Sequence, residues 1–98
     1  MTKFHESQEA KSHALLTAEQ SRVTETRAKL SAAVTVSTET ANTRNTALNS
    51  IEKEFIHGQA TPQQVEKARQ ESDAANAKLT ADQRLLALAD SALQELDS

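Results

Sequence analysis

A chain of 98 residues with a formal charge of −3, one Gly and one Pro has room for a single domain and lacks the turn residues that sheets need. It has no Cys, which excludes disulfides, thiolate zinc sites and a cysteine nucleophile. Its only aromatic residues are Phe4 and Phe55, so the helices it favours must pack over long seams or borrow core from another subunit.

The charge is unevenly placed. Residues 1–56 carry seven Lys/Arg against seven Asp/Glu, whereas residues 57–98 carry four against seven. No basic face emerges, which argues against nucleic acid as the main partner. The longest apolar run, Leu85 to Ala89, is five residues, and no charged-then-apolar leader opens the sequence. The expectation is therefore neither signal peptide nor membrane span, and a location in the cytoplasm or in a particle assembled there.

In chain order, residues 1–19 form an N-terminal helical segment carrying Phe4, Leu15 and Leu16. Thr17-Ala18-Glu19-Gln20 has the capping-box pattern that starts helices. The same pattern recurs at Thr80-Ala81-Asp82-Gln83, in what must be a helix interior. The segment thus either extends the next helix or bends back as a short third one. His5, Glu9 and His13 share a helical stripe, but no fourth ligand is evident. The expected reading is solvated surface and no metal site.

Residues 20–57 read as the first hairpin helix. Leu16, Val23, Leu30, Ser37, Arg44 and Ile51 recur every seven residues, and so do His13, Gln20, Arg27, Val34, Ala41, Leu48 and Phe55. At Arg27 and Arg44 the expected arrangement is a long stem covering apolar neighbours while the guanidinium reaches water. The alternative is a buried polar contact that fixes register or partner choice. Residues 34–50 are rich in Thr, Ser, Asn and Val, all costlier in a helix than Ala. Helix with local irregularity is the main expectation there, and a break near residues 36–45 the lesser one.

Residues 58–61 hold the stop and start signals. Gly58 suits a left-handed helix end, Thr61 can cap orphan amides, Pro62 fits the first helical position, and Gln64 completes a capping box. Residues 62–97 then form the second hairpin helix. Val65, Ser72, Leu79, Leu86 and Leu93 make one row, and Ala68, Ala75, Asp82, Ala89 and Leu96 the other. Ser72 and Asp82 raise the same question as the two arginines. A third row, Ala74, Ala81, Leu85, Leu88 and Ala92, widens the apolar face beyond what one partner helix covers.

Folding about residue 59 places Val65 opposite Ile51 and Phe55, Ala75 opposite Leu48 and Arg44, Leu86 opposite Leu30 and Val34, and Leu93 opposite Val23. The larger seam residues meet, as an antiparallel hairpin requires. The predicted fold is all-α, a long coiled-coil-like antiparallel hairpin in one helical domain spanning 1–98.

No catalytic or cofactor site is expected. A nucleophile needs an oriented base and an oxyanion donor in a walled pocket, which a narrow hairpin does not supply. Phosphate-cradling loops need more than one Gly. The layout of residues 20–97 resembles several helical-hairpin groups of about this length. Among them are small subunits and chaperones of bacterial secretion machines and short coiled-coil proteins of bacteriophages. The secreted hairpin family with a Trp-x-Gly turn departs from it, because His57-Gly58 has no Trp nearby. The resemblance is architectural and assigns no functional positions.

The function expected is a non-enzymatic protein–protein interaction module: a small helical subunit, adaptor or chaperone of a larger prokaryotic or phage assembly. Protein partners, in a homo-oligomer or an obligate hetero-complex, would dock on Phe4, Leu15, Leu16, Leu85 and Leu88. The rival expectation is an acidic inhibitor or decoy that binds a basic protein surface through the second helix.

Overall fold

The computed structural model describes the backbone of residues 2–97 and the side chains of residues 16–96. Two helices make up the fold, α1 (Thr2–Ile56) and α2 (Pro62–Asp97), packed antiparallel as an all-α hairpin. The molecule measures 84 × 17 × 14 Å. At 1.5 Å per residue the 55 residues of α1 alone span about 83 Å, so α1 is a single extended rod.

That continuity decides between the two expectations for residues 1–19. The segment extends α1, and the third helix considered as part of the fold does not form. The capping-box pattern at 17–20 lies inside α1, where the preceding turn already bonds the amides that a cap would serve. Thr80, in the matching pattern of α2, donates its hydroxyl back to the Asn76 carbonyl at 3.0 Å instead. Because α2 has 36 residues against 55, α1 outruns it by about 28 Å at the open end of the hairpin.

The Thr-rich stretch stays helical without a break at 36–45. Thr35, Thr38 and Thr40 turn their hydroxyls onto the carbonyls of Ser31, Val34 and Val36 one turn earlier, at 2.8–3.2 Å. The hydroxyls that would otherwise compete with the helix are satisfied within it.

At the turn, Gly58 adopts φ +72°. The Gln59 amide reaches back to the Glu54 carbonyl at 2.7 Å, and the Gly58 amide to Phe55 at 3.0 Å. These two bonds form a Schellman motif that satisfies the last carbonyls of α1. The Gln64 amide donates to Thr61 Oγ1 at 3.2 Å, and the Thr61 amide to Gln64 Oε1 at 2.8 Å, a reciprocal box at the start of α2.

A Cβ at position 58 would meet no atom within 4 Å, so the cost of a side chain there is backbone strain alone. Gly58→Val is therefore expected to destabilise the hairpin by about 1–2 kcal/mol, and Thr61→Ala by about 1 kcal/mol. Thermal unfolding followed by circular dichroism checks both. A Gly58→Val midpoint equal to that of the parent would contradict the strained turn.

All ten seam positions of α2 are buried or half-buried. On α1, Val23, Leu30, Val34, Leu48 and Ile51 are half-buried opposite them. Phe55, expected in the seam, is 44% exposed. It sits level with the first residues of α2, and the first large inward side chain there, Val65, lies a turn further on. Among the described residues, the most deeply buried apolar ones are both alanines, Ala41 and Ala89. Among the described residues, no large side chain is fully buried.

Candidate functional site

At the open end of the hairpin the apolar surface exceeds what two helices can cover. Val23, Thr26 and Leu30 of α1 face Leu85, Leu88 and Ala89 of α2 across an open furrow that Arg22 also lines. Val23, Leu30 and Ala89 belong to the seam, so the furrow is the seam's own flank left open. Leu85 and Leu88 remain 48% and 57% exposed because they lie on the third apolar row, at the flank of the contact with α1 rather than in the seam. Ala74 and Ala81 of that row are exposed as well, and Ala92 is half-buried. Leu16, 39% exposed, stands on the same heptad row as Val23 and Leu30 where α1 passes the end of α2. Phe4 and Leu15 lie outside the described side chains, as do His5, Glu9 and His13. Among the described residues, no cluster of three His, Cys, Asp or Glu side chains is placed to hold a metal.

Elsewhere among the described residues, large exposed apolar side chains occur at one position in mid-α1 and as a pair at the turn. Val36 is 60% exposed on the outer side of α1, and Ile56, at 81%, projects from the turn beside Phe55. Other grooves among the described residues are polar or mixed, one lined by Glu39, Thr40, Thr43 and Arg44, another by Ala47, Ile51, Gln64, Lys67, Ala68 and Glu71. The first has no large aliphatic wall, and the second joins Ala47 and Ile51 to Ala68 but is rimmed by Gln64, Lys67 and Glu71.

The middle of the hairpin is held differently. Ser37, Ser72 and Asp82 are buried at the helix–helix contact. The Ser37 hydroxyl donates to Asp82 Oδ2, which also takes the Lys78 ammonium at 3.2 Å. Ser72 donates to Asn45 Oδ1, and the Asn76 amide reaches the same oxygen at 3.2 Å. Flanking these, Arg44 pairs with Glu71 at 2.9 Å and Arg27 pairs with Asp90. Each cross-helix pair has its midpoint near residue 59, so these contacts and the apolar seam agree on register. Among the described residues, no buried side-chain nitrogen or oxygen lacks a partner.

Both arginines keep the exposure expected of them, and neither makes a buried contact. They stay about half exposed, at 48% and 45%, but each guanidinium meets a carboxylate on the other helix rather than water alone. Sequence patterning flagged Ser72 and Asp82 as anomalies but missed Asn45 and Asn76. The available signal was positional: Asn45 follows the seam residue Arg44, and Asn76 follows Ala75, which puts each at the edge of the contact.

The Ser37 hydroxyl holds the Asp82 carboxyl below its usual range. Burial pushes the other way, and the Lys78 hydrogen bond and charge add to the lowering. Because the folded pKa lies below the unfolded one, the stability from Asp82 is fully present above about pH 4 and is lost as pH falls through the lowered value. Asp82→Asn is expected to flatten the acid limb of the thermal midpoint against pH and to leave the shape above pH 5 unchanged. An acid limb of parental steepness in the variant would refute this.

No protein-family model matches the chain, and no characterised protein sequence or solved structure is significantly similar to it.

Proposed function

We propose that the protein is a non-enzymatic protein–protein interaction module, a small helical subunit, adaptor or chaperone of a larger prokaryotic or phage assembly. One observation carries this reading: the hairpin leaves Leu85 and Leu88 about half exposed in a furrow whose other wall is also aliphatic, while among the described residues no large side chain is fully buried. A furrow between two helices accepts the apolar face of a third, which is how amphipathic helices are recognised. Isolated exposed leucines are ordinary, but a contiguous apolar furrow in a chain with so little core marks an interaction surface.

The acidic-decoy alternative draws less support. In residues 57–98, Glu66, Glu71, Asp82 and Asp90 each meet a Lys or Arg within the chain, which leaves less of the negative charge for a basic partner. Among the described residues, no helix is long and apolar enough to cross a membrane.

The test is recovery of complexes formed by tagged parent chain and by Leu85→Glu/Leu88→Glu, at low and high salt. Docking through the furrow predicts complexes that survive high salt and vanish in the variant. Complexes that vanish in high salt and persist in the variant would favour the decoy.

A further inference from the structure

We infer that the turn between Ile56 and Pro62 is a conformational lock, with Pro62 as its principal part. It keeps α1 and α2 of one chain paired with each other. Without it, two chains exchange their α2 helices and form an antiparallel dimer of continuous helices.

The seam does not choose between these two states. Ser37–Asp82, Asn45–Ser72, Arg44–Glu71 and Arg27–Asp90 join α1 to α2 about a midpoint near residue 59. A second chain related by a two-fold axis beside residue 59 offers the same partners at the same levels, as in any exchange of identical elements. The apolar rows are satisfied equally in either case.

One of those rows also runs through the turn in phase. It recurs every seven residues from Leu16 to Ile51, and the same interval leads on through Gly58 to Val65 and finally Leu93. A helix carried straight through residue 58 therefore keeps this row on one side of a rod about 144 Å long over residues 2–97. The second row falls one residue out of step between Phe55 and Ala68, and that mismatch is confined to the turn.

The turn is where the two states differ. A continuous helix needs an amide at position 62 to meet the Gly58 carbonyl, but Pro62 has no N–H and its ring presses on that carbonyl. The same ring disfavours helical backbone at Thr61. In the hairpin these restrictions are harmless. Thr61 lies outside both helices and caps α2, and Pro62 opens α2, where no N–H is needed. Gly58, at φ +72°, sits easily in the left-handed region and is a poor residue for a helix interior. The bonds from Gln59 to Glu54 and between Thr61 and Gln64 belong to the closed chain. Closure is thus set by a few local residues, and the long seam follows.

With no Cys in the chain, a pair of introduced thiols reports which chain supplies each helix. Arg44→Cys/Glu71→Cys replaces a half-exposed cross-helix pair and can be joined by a short bismaleimide. The protein is unfolded, refolded at a series of concentrations, cross-linked and resolved on a denaturing gel. In the otherwise unchanged chain the links should stay within one chain and migrate at 10.7 kDa. Adding Pro62→Ala should lower the concentration at which half of the links join two chains by on the order of 10⁴-fold, because the proline penalty is lifted from both chains of the dimer. Gly58→Ala with Pro62→Ala should lower it further. Inserting Gly-Ser after Gln59 in the Pro62→Ala chain interrupts the helix again and should return the links to one chain. Closed hairpins that associate through the furrow also keep every link within a chain, so that mode of docking is not mistaken for exchange. Interchain links in the otherwise unchanged chain at micromolar concentration overturn the lock. A Pro62→Ala chain still linked only within itself at millimolar concentration overturns it too, as does a shift below a hundredfold. Interchain links that persist after the Gly-Ser insertion would show that the seam, and not the turn, selects the partner.

Discussion

The Leu85→Glu/Leu88→Glu chain is expected to leave its complex at micromolar concentration while keeping its helical content. Each leucine is already about half covered by the hairpin, so only the remainder is removed from water on docking. Full burial of one leucine stabilises by roughly 1.5–3 kcal/mol, and the two exposed halves together contribute about 2 kcal/mol. Two carboxylates enclosed by the arriving helix add at least a similar penalty, since unpaired charge is costly to desolvate. A total near 4 kcal/mol corresponds to roughly 1,000-fold weaker association. The hairpin itself should survive, because the seam neighbours Leu86 and Ala89 face α1 and are unchanged. Sedimentation and circular dichroism, run side by side, separate the two effects. A variant with parental mass and parental partners would refute the assignment of the furrow.

Ala41→Leu is expected to unfold the hairpin at a markedly lower temperature than an exposed control such as Ala32→Leu. Ala41 is 2% exposed, at the waist where Ser37 and Ser72 are also nearly inaccessible. Small side chains let the two backbones approach closely there, and an inserted leucine has to push them apart. Overpacking of this kind costs about 1–3 kcal/mol. Separation would also stretch the Ser37–Asp82 and Ser72–Asn45 bonds, leaving polar groups partly desolvated without partners. For a domain of this size each kcal/mol lowers the midpoint by roughly 4–8 °C. Matching midpoints for Ala41→Leu and Ala32→Leu would show that the waist is looser than described.

The extent to which the sequence alone reveals this protein varies along the chain. The helical hairpin and its register follow from local chemistry and period. Gly58 is where a left-handed residue can sit, Thr61 and Gln64 are spaced to cap each other, and rows recurring every seven residues leave one antiparallel alignment in which large residues meet. Such features depend on neighbours within a few residues, or on a repeat, and both are written in one dimension. The third row of α2, with Leu85 and Leu88, is legible for the same reason, since helical geometry turns it away from any single partner.

Tertiary structure alone decided the rest. Whether residues 1–19 extend α1 or fold back turns on a balance between helix continuity and packing that the capping pattern at 17–20 does not resolve. The same pattern occurs uselessly at 80–83. The fate of Arg27 and Arg44 depended on which atoms the other helix offers at the same level, and the answer was Asp90 and Glu71. The Asn45–Ser72–Asn76 contacts arise because small residues bring the helices close enough for edge positions to touch. Phe55 fits the heptad, yet it finds the first turn of α2 too short of large side chains to cover it. A heptad row specifies direction around a helix, but what lies in that direction, and how near, is set only when two helices are placed together.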